Sequence, residues 1–146
     1  MNVSVARSLP TTTSLDAPLA LLGRVGLSLI FIISGWGKIA GYAATQGYME
    51  SKGLSGALLP LVIVLELGGG LAILAGLWSR WIAIALAGFS IVSALVFHAE
   101  FGDQMQAINF WKNVAMAGGF LFLAANGPGA LSLDARFGRS RVTTAG

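Results

Sequence analysis

A chain of 146 residues that is 55% hydrophobic, 10% charged and holds 20 glycines, with a mean hydropathy of +0.78, has the composition of a membrane protein and excludes a soluble core. Strongly apolar runs take up about 90 residues, which at about 20 per crossing gives four transmembrane helices and leaves no room for a soluble catalytic domain. The net charge is +3 without any basic stripe interleaved with aromatics outside the apolar runs, which excludes nucleic acid as a partner, and zero cysteines with one histidine exclude disulfides, thiol redox chemistry, iron–sulfur clusters and bis-histidine haem within one chain.

Residues 1–16, MNVSVARSLPTTTSLD, are polar, contain one Arg and lack the apolar core of a signal peptide, so they read as a tail. Asp16 is placed to cap the helix that follows, and Pro18 is tolerated in its first turn. The first crossing runs over about 17–40. Fourteen residues at 100° each bring Arg24, Phe31 and Lys38 to within about 40° of one another, with Ser34 one turn before Lys38 on that face. Arg24 and Lys38 read as end anchors that snorkel; for Lys38 the adjoining Ser34 makes an inward-facing role the competing reading. Residues 41–53, GYAATQGYMESKG, read as a polar first loop, with Trp36, Tyr42 and Tyr48 spaced as interface aromatics.

The second crossing, about 54–78, carries one ionisable residue, Glu66, near its middle. A carboxylate at that depth costs at least a few kcal/mol, so it is expected to face protein or a polar cavity with a cation in reach. Gly69, Gly70 and Ile73 share its face, while Gly68, Ala72 and Gly76 form a small-residue series out of phase with it, suited to close helix contact. Pro60 is placed to kink the helix below Glu66. The bland alternative for Glu66 is a structural interhelical hydrogen bond.

A short turn around Ser79 and Arg80 leads to the third crossing, about 81–98, an antiparallel neighbour of the second. Ser90, Ala94 and His98 fall on one face, which puts His98 at the end opposite Arg80. The loop after it carries Glu100 and Asp103. The fourth helix, about 105–126, bears the strongest polar stripe in the chain, with Asn109, Lys112, Asn113 and Met116 at i, i+3, i+4 and i+7. A lysine and two asparagines have no reason to face lipid, so Lys112 is the favoured cation for the Glu66 region, against the alternative of a snorkelling anchor near a helix start. Residues 135–146 read as a basic tail. Arg7, Arg80, Arg136, Arg139 and Arg141 fall on one side, and Glu50, Glu100 and Asp103 on the other with Lys38 and Lys52, so the positive-inside rule puts both termini in the cytoplasm.

Arg24 followed by FIISGWGK, then Glu66 with Gly69, Gly76 and Arg80, then Lys112 with Asn113, and finally GPGALSLD from Gly127 to Asp134 together resemble the DoxX family of small four-helix bacterial inner-membrane proteins. The resemblance spans about residues 21–134 and implies a DoxX-like domain over 17–134: an all-α, polytopic, four-transmembrane-helix up-and-down bundle in the inner membrane. Some members resemble the membrane subunit of thiosulfate:quinone oxidoreductase, and others are associated with a sulfurtransferase and a superoxide dismutase in oxidative-stress protection.

Two functions follow from different classes. In one, the chain is a quinone-interacting subunit of a membrane oxidoreductase system: Glu66 and Lys112 are the candidate catalytic pair, and Ser34, Lys38, Glu66, His98, Asn109, Lys112 and Asn113 surround a membrane quinone, with no metal. A carboxylic acid and an ammonium donate to quinone carbonyls or relay protons as the ring is reduced. In the other, the chain is a non-enzymatic anchor or scaffold for a soluble partner, or part of a small-solute path, and the Glu66 cluster is its structural polar core. The expected partners are the lipid bilayer, a soluble or membrane oxidoreductase component, and further copies of the chain.

Overall fold

The protein is seen in a computed structural model that describes residues 15–143, with side chains as far as Gly138. The tail through residue 14, with Arg7, and the side chains of Arg139 and Arg141 lie outside the described residues. Six helices follow in order and no strand occurs among the described residues: α1 Asp16–Ala40, α2 Tyr42–Ser51, α3 Gly56–Ala75, α4 Ser79–Phe97, α5 Gln104–Asn126 and α6 Leu133–Thr143. Three of them, α1, α3 and α4, are long and apolar enough to cross a membrane. The 23 residues of α5 match them in length, but Asn109, Lys112 and Asn113 lower the hydropathy of its first half. It lies along α4 and touches α1, closing an all-α, up-and-down, four-helix membrane bundle.

Several local expectations are corrected. Residues 41–53 are not a loop. Ala43, Ala44, Gln46, Met49 and Glu50 are good helix formers, and they build α2 between Gly41 and Gly53. Gly53, at φ 80°, ends α2 in a Schellman turn, with its N–H on Glu50 O at 3.0 Å and that of Leu54 on Met49 O at 3.0 Å. The basic tail is likewise helical, because Ser132 Oγ accepts from Ala135 N–H at 3.2 Å and starts α6. Asp16 is the first helical residue of α1 rather than its cap. Pro60 lies in the first α-helical turn after the 3₁₀ turn of Gly56–Leu58, where a missing N–H is harmless. The irregularity of α3 falls instead at Val64–Gly68, a π turn centred on Glu66.

The helices meet at glycines. A methyl group at Gly35 of α1 would sit 2.8 Å from the backbone nitrogen of Leu67, and one at Gly70 of α3 would sit 2.9 Å from Ile32 Cγ1. Gly69 meets Leu86 of α4, and Gly119 of α5 meets Leu27 of α1, so three of the bundle's seams close over a missing side chain. Gly68, expected to serve close contact, faces open space. The core between the seams gathers Phe31, Ile73, Leu86 and Phe120, with the Phe31 ring edge-on to Phe120 at 5.3 Å and to Phe89 at 6.3 Å.

Arg24 is no snorkelling anchor. It is 1% exposed, and Nη1 donates to Ile73 O at 3.3 Å and Leu74 O at 3.1 Å, carbonyls in the last turn of α3 that lack an i+4 donor, while Nη2 donates to Leu131 O. The end of α3 is a second Schellman turn: Gly76, at φ 70°, donates to Ile73 O at 3.0 Å and Leu77 to Ala72 O at 2.9 Å. Across a sequence gap of more than fifty residues, the carboxylate of Asp134 accepts from Trp78 N–H at 2.8 Å and Ser79 N–H at 2.9 Å, and so caps the start of α4. That bond also holds Trp78 in the left-handed conformation, φ 47°, that a tryptophan rarely adopts.

Two measurements of thermal unfolding in detergent check these contacts. Gly35→Ala is expected to cost about 1–3 kcal/mol because its methyl meets backbone, whereas Gly37→Ala on the same helix, with open space around it, stays neutral or gains a few tenths. Asp134→Ala removes the cap of α4 and is expected to cost about 1–2 kcal/mol; a loss within error would mean that water replaces the carboxylate.

Candidate functional site

At the opposite end of the bundle, α1 and α3 bring three polar side chains together. Lys38 Nζ donates to Glu66 Oε1 at 3.0 Å and to Ser34 Oγ at 2.7 Å, and Ser34 Oγ–H in turn donates to the same Oε1 at 3.3 Å. The ammonium also lies 2.8 Å from Oε2. That second approach is a charge contact off the hydrogen-bond direction, and Oε2 has no hydrogen-bond donor of its own. The Glu66 side chain is 6% exposed and that of Lys38 24%. The geometry has a local cause: Ser34 and Lys38 are i and i+4 on α1, and Gly35 between them lets α1 press against the π turn that carries Glu66.

Lys112 is therefore not the partner of Glu66. Helix α5 packs along α4, with only a slight contact to α1, so Lys112 stands on the α5 side of a cavity whose other wall holds Lys38 and Glu66. It is exposed, and among the described residues it makes no ion pair or hydrogen bond. Asn109 and Asn113 line the same cavity beside it, the Asn113 Nδ2 donating back to Asn109 O at 2.9 Å. His98 lines it too, its Nδ1 within 2.7 Å of Gln106 Oε1. All seven sequence-predicted site residues thus border one cavity of about 730 Å³; Ser34, Lys38 and Glu66 bond to one another across α1 and α3, while the contact of Asn113 with Asn109 stays within α5.

The rest of that cavity is mostly apolar. Phe31, Val62, Phe89 and Met116 line the part nearer the core, and α2 covers the mouth with Thr45, Tyr48 and Met49. Tyr48, expected in the interface belt, is stacked on Phe97 at 5.5 Å. Met49 is 4% exposed. The glycines of residues 41–53 mask this helix; the signal for it is the set of helix formers between Gly41 and Gly53. Near the same mouth Lys52 Nζ donates to Glu100 Oε1 at 2.9 Å, joining the segment after α2 to the loop after α4. That hydrogen bond, and then the charge of Glu100, hold the Lys52 ammonium above the usual lysine range. A lysine raised on folding contributes fully below its unfolded pKa and loses that contribution as pH climbs through the folded one, so the lysine side of the tie is complete at neutral pH and is lost in alkali.

Fold and site together define a polytopic membrane protein with an ion pair, its carboxylate buried, in the wall of a partly open, mainly apolar cavity. The chain belongs to the DoxX family, whose family model matches residues 19–99. It is similar to the inner membrane protein YqjF of Escherichia coli strain K12, at 51% identity over 114 residues, covering 78% of this chain and 88% of that protein. It is also similar to the inner membrane protein YphA of the same organism, at 39% identity over 125 residues, covering 81% of this chain and 89% of that one. No solved structure matches.

The ion pair makes a double-mutant prediction. Lys38→Met strands a buried carboxylate and is expected to cost about 3–5 kcal/mol, while Lys38→Met with Glu66→Gln, which removes both charges, costs clearly less than the single change. Thermal unfolding of the four proteins in one detergent checks it; a double variant as unstable as the sum of the singles would show that the two side chains are independent.

Proposed function

We propose that this chain is the quinone-interacting subunit of a membrane oxidoreductase system in the inner membrane, with both termini on the cytoplasmic side and the cavity in the outer half of the bilayer. The observation that carries the reading is the Lys38–Glu66 pair with Ser34, placed in the wall of a cavity that is otherwise largely apolar. At about 730 Å³ the cavity falls in the range of about 300–1,000 Å³ typical of small-molecule sites, with few polar groups converging on mainly hydrophobic walls. A quinone ring suits both: its face packs on Phe31 and Phe89, and its carbonyl oxygens accept from an ammonium or hydroxyl. Lys38 and Glu66 would hold and exchange the proton needed when a carbonyl oxygen becomes a hydroxyl.

The electrons come from a partner protein in this reading, because the chain has no cysteine and a single histidine. The location is supported by the names of the two relatives, both inner membrane proteins, and the orientation by the basic residues of the α3–α4 turn and the C-terminal segment.

Tagged protein gently isolated from its native membrane is expected to carry a near-stoichiometric quinone that organic solvent extracts and mass spectrometry identifies. Lys38→Met and Glu66→Gln proteins that remain folded are expected to retain at least about tenfold less, as loss of one charge-assisted hydrogen bond of about 1.5–3 kcal/mol implies. Wild-type protein free of quinone, or both variants loaded as fully as wild type, would remove the proposal.

A further inference from the structure

The cavity is electrically unbalanced. Two lysines line it, and Glu66 is its single acidic residue. That carboxylate is already engaged by Lys38 and Ser34. Of the other acidic groups at the same end, Glu100 binds Lys52, Asp103 accepts from Gln106 N–H at 3.0 Å to cap α5, and Glu50 is exposed on α2 and does not line the cavity. His98 is taken by Gln106. Lys112, on the α5 wall with Asn109 and Asn113, is left with no counter-charge among the described residues.

Lys112 is exposed, but it borders a mainly apolar space whose one carboxylate is already held by Lys38, and an ammonium so placed is stabilised by a negative charge brought to it. We infer that the cavity takes its ligand in a singly anionic form, with an acidic oxygen on Lys112 and the ring or alkyl body against the apolar wall. This rests on the quinone reading and narrows it: the preferred ligand is a ring with an ionised hydroxyl, as in a quinol anion or an acidic hydroxyquinone, rather than the neutral quinone. Lys112 then acts as a specificity determinant on the wall opposite the Lys38–Glu66 pair.

The test compares a hydroxynaphthoquinone, whose ring hydroxyl is ionised at neutral pH, with its neutral methyl ether, which has nearly the same shape. Binding is measured by equilibrium dialysis against full-length protein in phosphatidylcholine nanodiscs, with empty nanodiscs as the blank. The anion is expected to bind about tenfold more tightly than the ether, with the preference falling to about onefold in Lys112→Met and largely kept in Lys112→Arg. Thermal unfolding of the variants confirms that they are folded. Equal binding of the two compounds to wild type, or a preference unchanged in Lys112→Met, overturns this inference while leaving the quinone reading in place. Failure of both compounds to bind overturns the quinone reading itself. If phosphatidylglycerol added to the nanodiscs abolishes the preference, a lipid headgroup is the counter-ion of Lys112, and the inference is likewise overturned.

Discussion

A carboxylate near the middle of a membrane-spanning helix is the constraint on which this bundle turns. Insertion scales put the cost of such a group at a few kcal/mol, and the bilayer supplies no water to reduce it. The protein answers with Lys38, and that answer fixes geometry well beyond one ion pair. For a lysine on α1 to reach Glu66 on α3, the two helices must approach closely, which Gly35 and Gly70 allow because each faces the other helix where a side chain would collide. The π turn at Val64–Gly68 belongs to the same solution. One extra residue in a turn shifts the register by about 100°, so the half of α3 before Glu66 faces α2 while the half after it faces the core around Ile73.

The two ends of the bundle are built on opposite principles. Around Arg24 the packing is closed: the guanidinium, the Schellman turn at Gly76, the Asp134 cap on α4 and the Ser132 cap on α6 satisfy backbone groups that helix ends leave over. Around Glu66 the bundle opens into a cavity, and the elements that cover it are light. A ten-residue helix, a Tyr48–Phe97 stack and an exposed Lys52–Glu100 pair span its mouth. Exposed ion pairs contribute little to stability. The closed end thus ties the four helices together, while the open end leaves a cavity covered by lightly packed elements.

Much of this was legible in the sequence, in a graded way. Apolar runs of about 20 residues report membrane crossings directly, and Glu66 announced itself as the lone ionisable residue in one of them. Helical periodicity also put Ser34 and Lys38 on one face, since i, i+4 spacing is a local property. What the sequence could not show is which helices are neighbours. Periodicity puts both Lys38 and Lys112 on inward faces; the close approach of α1 to α3 at Gly35 is what brings Lys38 to Glu66. The roles of Arg24 and Asp134 were hidden for the same reason, because their partners are backbone groups more than forty residues away. The π turn left no trace, since Val64–Gly68 reads as ordinary apolar helix. The glycine content of residues 41–53 disguised α2, whose packing over the cavity depends on Met49 and Tyr48 meeting elements distant in sequence.

The two inward-facing cations, Arg24 and Lys38, differ in what the fold gains from them. Arg24 spends its donors on carbonyls of α3 and of the segment before α6, acceptors that exist in any chain folded this way. An apolar residue there would leave those carbonyls bare, so a structural role accounts for the two terminal nitrogens of Arg24, although its buried Nε has no hydrogen-bond partner. Lys38 and Glu66 satisfy no backbone group at all; they and Ser34 satisfy one another. A buried pair of that kind can commonly be replaced by apolar side chains of similar volume with no loss of stability. Helix packing does not require it either, since the α1–α3 seam is made by Gly35, Gly70, Ile32 and Leu67. What the pair provides, and the fold does not consume, is an ammonium and a carboxylate held at the wall of an apolar cavity.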